Sequence, residues 1–211
     1  MSALAVATEI YSRSNPSRRY RELTALYAQM HVGGLPNQNI KAKDLFAGSS
    51  IIPQLPKIKL LVAELGARTL LDYGCGKGLQ YRAQNLKLRS GEIIPSVQGY
   101  LGVDSIHCYD PGVAEFQKFP AGQFDGVIST DVLEHCPEPD LPWILEEMCG
   151  AARKFVFANI ASYPAAKILP NGENAHCTIR PVEWWSQIIA PIAARHPGLV
   201  TRFDVSKGYE G

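Results

Sequence analysis

Leu70-Leu71-Asp72-Tyr73-Gly74-Cys75-Gly76-Lys77-Gly78 decides the reading of this chain. Two aliphatic residues run into an acid, and three glycines then alternate with other residues. The pattern describes a buried strand entering a turn tight enough for a ligand to touch the backbone. Glycine lacks the Cβ that would block such an approach, and it adopts φ > 0 without strain. Asp72, at the strand end, accepts hydrogen bonds from hydroxyl or ammonium groups. A small polar ligand is therefore expected at the carboxyl edge of a parallel sheet. The spacing G-x-G-x-G brings the third glycine one residue earlier than the dinucleotide fingerprint G-x-G-x-x-G. The phosphate-gripping G-x-x-x-x-G-K-[ST] is absent, because Lys77 lies between glycines.

Outward from this stretch, strands alternate with helices. Apolar residues at Tyr20, Leu23, Leu26, Tyr27 and Met30 make one face of a helix over 18–30, ended by Gly33-Gly34-Leu35-Pro36. A second helix runs from Pro56 to Gly66. Strands are expected at 68–72, 105–109, 124–130, 154–160 and 199–206, and helices at 141–152 and 181–194. The segment 79–99 reads as a helix followed by an irregular loop. Residues 1–50 form a helical extension, and 51–211 form a Rossmann-like α/β domain: a doubly wound, mainly parallel sheet with helices on both faces.

Composition narrows the function classes. With 211 residues, 46% of them hydrophobic, the chain supports one domain with a sizeable core. Lys and Arg total 21 and Asp and Glu total 20, a formal charge of +1. That balance gives no electrostatic reason to expect nucleic acid or an anionic membrane as a partner. No apolar run approaches a membrane span, and the N-terminus MSALAVATEIYSRSNPSRR lacks the pattern of a signal peptide. The five cysteines are widely spaced and never in C-x-x-C, which argues against disulfides and a structural zinc site. Reduced thiols in a cytoplasmic protein are expected, and no metal.

Three strands end in acids: Asp72, Asp110 and Asp131. Asp72-x-Gly74-Cys75-Gly76-x-Gly78 resembles the first motif of class I S-adenosylmethionine-dependent methyltransferases. The run from Phe124 to His135, ending Val132-Leu133-Glu134-His135, resembles the F-D-x-V…V-L-E-H segment of their small-molecule members. The segment from His176 to Trp185, His-Cys-Thr-Ile-Arg-Pro-Val-Glu-Trp-Trp, is similar to the family's stretch after the fifth strand. The resemblance covers roughly residues 45–206. It implies S-adenosylmethionine as methyl donor, held by Asp72, Gly74, Gly76, Gly78, Asp110 and Asp131. Asp110 takes the place of the acid that holds the ribose hydroxyls, with Asp104 as a rival. Departures are plain. No acid follows a clear third strand, only one strand-like run follows the last helix, and the N-P-P-Y or D-P-P-Y of nucleic-acid amino-methyltransferases is absent.

Methyl transfer from a sulfonium is an in-line displacement, so positioning and desolvation dominate. An oxygen or nitrogen acceptor also loses a proton, and His176 and His135 are the candidate bases. Asn174, in the polar loop 169–176, is the candidate to orient a small-molecule or sugar-like acceptor. Of Trp184 and Trp185, one belongs to the core and the other to an acceptor pocket or a contact with the N-terminal helix. That helix is a candidate lid. Two other readings stay open: a non-catalytic S-adenosylmethionine-binding protein and a nicotinamide-dependent oxidoreductase.

Overall fold

The computed structural model describes residues 10–207. The expectation of no signal peptide, and the first nine residues of the 1–50 extension, fall on positions outside the described residues. In chain order the elements are α1 (Arg18–Gly33), α2 (Leu55–Leu65), β1 (Thr69–Tyr73), α3 (Leu79–Arg82), β2 (Leu86–Lys87), β3 (Ile93–Ile94), α4 (Val97–Leu101), β4 (Ser105–Tyr109), β5 (Phe124–Thr130), α5 (Leu141–Ala151), β6 (Ala152–Ala161), α6 (Val182–Ala193) and β7 (Val200–Ser206). Short 3-10 turns at Pro36–Gln38, Ala42–Asp44 and Ser49–Gln54 carry the chain from α1 to α2.

The main sheet has the order β4-β1-β5-β6-β7, with every pair parallel. Successive side chains of a strand point to opposite faces, and the core divides accordingly. Leu71, Val127, Val156 and Ala158 pack with α5 and Trp185 of α6 on one face. Leu70, Ile128, Phe155 and Phe157 pack with α2 and α4 on the other. Burying each such aliphatic or aromatic side chain contributes about 1.5–3 kcal/mol. This is the Rossmann-like α/β arrangement the strand–helix alternation implies. The side on which strands are added reverses at β1: β4 lies to one side of it, and β5, β6 and β7 step away on the other. The crevice at that switch point, beyond the carboxyl ends of β1 and β5, is where such sheets bind ligands.

The expected helix at the start of 79–99 shrinks to the four residues of α3. An antiparallel hairpin of β2 and β3 and the short α4 follow. The physical reason is local. Ala83 is extended and Asn85 adopts φ 54°, ending the helix, while Gly91 at φ 90° turns the chain so that Leu86 pairs with Ile94. The last strand, β7, pairs parallel with β6, and no antiparallel partner joins it among the described residues.

The segment before α1 is strapped to the sheet. The Arg13 guanidinium lies over the rings of Tyr109 and Phe119, at 4.7 and 4.2 Å, and makes a two-pronged ion pair with Glu147. Ser17 caps α1 by accepting from the Tyr20 N–H at 3.0 Å. Its own N–H and hydroxyl donate to the buried Asp140 carboxylate at 2.9 and 2.5 Å. Leu23 and Met30 of α1 then pack on Leu35, Leu45, Leu169 and Ala175, which lays the helix across the carboxyl edge of the sheet.

Candidate functional site

A cavity of about 360 Å³ opens at the switch point. Its floor is the end of β1 with Tyr73, Gly74 and Gly76, the end of β4 with Asp110, and the end of β5 with Thr130 and Asp131. Its roof is α1, through Tyr20, Leu23, Tyr27 and His31, joined by Phe46–Ser50 from the connecting segment. The far wall is His135, Tyr163, Ala165–Lys167 and His176.

The glycine turn is built by close approach. Gly74 has φ 86°, and a Cβ there would lie 2.4 Å from the Val132 side chain of the β5 turn. Gly76 has φ 59°, and a Cβ there would lie 2.4 Å from the Phe46 carbonyl oxygen. That same carbonyl accepts from the Lys77 N–H at 2.9 Å. No L side chain fits without moving the Phe46 loop, which is itself part of the roof. Asp110 ties the turn to its neighbour: its carboxylate accepts from the Gly76 and Gly112 N–H groups, each at 2.9 Å. Burial pushes the Asp110 pKa up, and these two amide donors oppose the shift.

Asp72 and Gly78 sit behind this surface. Asp72 is buried and accepts from the Tyr81 hydroxyl at 2.7 Å, while its other oxygen has no partner. Burial raises its pKa to about 7, against the lowering effect of the Tyr81 hydrogen bond and with a further push from Asp110. Gly78 packs near Phe116 and Cys108. Asp104, the rival for the ribose role, lies at the opposite end of β4, exposed and paired with Arg68.

Asp131 occupies the left-handed region at φ 62°, which Asp tolerates better than most residues. This turn aims the following 3-10 helix, Leu133–His135, along the cavity wall. Glu134 faces away from the cavity. Fully buried, it accepts from the Ala161 N–H at 2.6 Å, and its carbonyl accepts from the Thr178 N–H at 3.0 Å. Burial holds its pKa well above the ordinary carboxyl range. Through its carboxylate and its backbone carbonyl, Glu134 thus ties the end of β6 to the irregular segment that follows His176.

The structure brings His135 and His176 together, with ring centroids 4.7 Å apart at nearly a right angle. His135 Nδ1 faces the Ala175 carbonyl at 2.8 Å and the Tyr27 hydroxyl at 2.7 Å, and that hydroxyl donates to the same carbonyl. His176 Nδ1 faces the Tyr163 carbonyl at 2.6 Å. Burial, with His176 next to it, lowers the His135 pKa to about 4. Asn174 lies outside the cavity lining. Its amide accepts from Ala165 N–H and His176 N–H and donates to the Ala165 carbonyl, folding the 165–176 loop on itself. Of the tryptophans, Trp185 is core, and Trp184 lies under Arg180 at 5.6 Å, away from the cavity.

Tyr27, Phe46, Ser50 and Tyr163 join the site without having been singled out by sequence. Only Tyr27 carried a signal, as part of the apolar face of α1. Ser50 donates to the Thr130 carbonyl at 2.9 Å and holds the connecting segment against β5.

Comparison with known proteins gives two partial matches. The chain is 34% identical over 86 residues to the ubiquinone biosynthesis O-methyltransferase of Pseudomonas paraeruginosa, covering 36% of this chain and 37% of that protein. It is 26% identical over 145 residues to the ubiquinone biosynthesis O-methyltransferase of Bordetella avium, covering 58% of this chain and 60% of that protein. The chain therefore spans less than two thirds of either curated relative. No family model matches the chain, and no solved structure matches it. The similarity supports a methyltransferase on this fold. Among the described residues no helix is long and apolar enough to cross a membrane.

Proposed function

We propose that this chain is an S-adenosylmethionine-dependent O-methyltransferase acting on a small hydroxyl-bearing molecule. The observation that carries the reading is one cavity at the switch point, in which the glycine turn and Asp110 face the pair His135 and His176. The donor set suits the cofactor. Asp44, Asp110 and Asp131 line the cavity and favour a ligand with ammonium and sulfonium charges, and the bare backbone at Gly74 and Gly76 admits it closely. Gly74, Gly76 and Asp110 would hold the cofactor, with Asp72 and Gly78 shaping the turn from behind. Asp131 stands between that half and the histidines. Bound there, S-adenosylmethionine supplies an electrophilic methyl group.

The remaining work falls to the chain. Tyr20, Tyr27, Phe46 and Tyr163 make a largely aromatic acceptor chamber, and α1 covers it, which excludes water and aligns the acceptor. His135 and His176 line the acceptor end, where in the metal-free protein an imidazole takes up the acceptor's hydroxyl proton. Asn174 acts on the acceptor through the loop that carries His176. The names of the two relatives, both O-methyltransferases, favour oxygen as the acceptor atom.

The test is incubation with S-adenosylmethionine labelled in its methyl group and a panel of hydroxylated small molecules, phenols and sugars among them. Label should pass to one acceptor class. Transfer to none, by a folded protein that binds the cofactor, overturns the catalytic half and leaves a binding protein.

A further inference from the structure

We propose that Asp131, His135 and His176 form a binding site for one divalent first-row transition-metal ion at the acceptor end of the cavity. The proposal rests on the cavity assignment above but not on methyl transfer. One ligand atom from each of the three residues lies within 4.8 Å of the others. All three residues line the same cavity.

A second, independent observation concerns the histidines' other nitrogens. A backbone carbonyl only accepts, so Nδ1 of His135, facing Ala175 O, and Nδ1 of His176, facing Tyr163 O, both carry the proton. Each Nε2 is then left as a lone pair on the other side of its ring. A ligating histidine is ordinarily held in this way, by donation from its second nitrogen to a carbonyl or carboxylate. Tyr27 completes the support for His135, touching both Nδ1 and the Ala175 carbonyl.

Geometry and donor type select the ion. Four-coordinate zinc at bonds of about 2.0–2.1 Å needs its ligand atoms ~3.3–3.5 Å apart. The present spread must close by roughly 1.5 Å at most to reach that figure. Asp131 is exposed and is the arm that must close it, giving up its contact with the buried Glu134 carboxyl. Two imidazoles with one carboxylate suit Zn2+, Co2+ or Fe2+, whereas Mg2+ and Ca2+ take oxygen ligands. Three protein ligands leave a position open to the cavity. With the ion bound the two imidazoles are its ligands and no longer bases: an acceptor hydroxyl at the open position has its O–H pKa lowered, its proton passes to water on the exposed Asp131 side, and the oxygen keeps the electron pair as an oxyanion.

The test uses the full chain, stripped with chelator and titrated with Co2+ and Zn2+. Calorimetry reads stoichiometry, and the visible Co2+ spectrum reports nitrogen ligation. One equivalent should bind, with affinity falling at least ~100-fold in Asp131→Asn and His176→Gln, and ~10–100-fold in Tyr27→Phe. His107→Gln, on an exposed strand position away from the cavity, should bind as the parent does. Asparagine tolerates the left-handed backbone at 131, and thermal melts confirm that the variants fold. Absence of stoichiometric binding, or binding that these ligand variants leave unchanged, overturns the proposal. Binding of S-adenosylmethionine by the metal-free protein is measured separately, so failure of the metal site and failure of the cofactor assignment are told apart.

Discussion

Replacing Gly76 by alanine probes the closest approach in the site. Two costs combine. An L residue at φ 59° is strained by about 1–2 kcal/mol. The new Cβ would also begin 2.4 Å from the Phe46 carbonyl oxygen. Restoring ordinary van der Waals separation moves that carbonyl by about 1 Å. The move loosens its 2.9 Å hydrogen bond from Lys77 N–H, a loss of about 1 kcal/mol. The sum is about 2–3 kcal/mol, or roughly 4–12 °C in Tm for a chain of this size. Because Phe46 is part of the roof, cofactor binding falls as well. The control is Gly91→Ala, at φ 90° with nothing within 4 Å of the added Cβ. It carries only the backbone term, about 1–2 kcal/mol, and leaves binding intact. Urea unfolding measures both variants, and calorimetric titration with S-adenosylmethionine follows. Equal destabilisation of the two, with binding retained in Gly76→Ala, would refute the close packing of the Phe46 loop on the turn and its part in the site.

Other consequences are as direct. Ser17→Ala removes both the α1 cap and a hydroxyl donor to Asp140, so stability should fall by about 2–3 kcal/mol in denaturant unfolding, and Ser17→Thr should recover most of it. Asp72 has a folded pKa of about 7, raised above its ordinary value near 3.9. The folded state therefore holds the proton more tightly: its stabilising share is full below about pH 4 and is lost as pH rises toward 7, a decline of up to about 4 kcal/mol. Urea midpoints measured across that range should show this slope in the ligand-free protein, and Asp72→Asn should flatten it. His176→Gln should lower methyl transfer by ~100-fold or more while leaving S-adenosylmethionine affinity within about threefold. Loss of affinity in step with turnover would place His176 in the cofactor half instead.

What was legible in the sequence was what is local in the chain. The strands Ser105–Tyr109 and Phe124–Thr130 stand where apolar runs stopped by Asp110-Pro111 and Asp131 put them. The glycine turn and Asp110 were visible because spacing and strand ends are properties of short stretches. The hairpin at 86–94 was not, since its pairing depends on Asn85 and Gly91 backbones that helical periodicity does not weigh. The aromatic chamber was hidden for a different reason. Tyr27, Phe46 and Tyr163 come from three separate segments and meet only when α1 crosses the sheet edge. An aromatic on the apolar face of a helix reads as core. Likewise, sequence marked His135 and His176 separately, and only the fold of the 165–176 loop, tied by Asn174, puts their rings 4.7 Å apart.

Every role proposed for the site requires that the cavity at the β1–β5 switch point bind S-adenosylmethionine. The decisive measurement is calorimetric titration of the purified full chain with S-adenosylmethionine, with Asp110→Asn alongside. Saturable one-to-one binding is expected in the parent and at least ~10-fold weaker binding in the variant, which loses a charge-assisted partner for the ribose hydroxyls. A cooperatively folded parent that gives no binding heat, and no shift in Tm with S-adenosylmethionine, would contradict it.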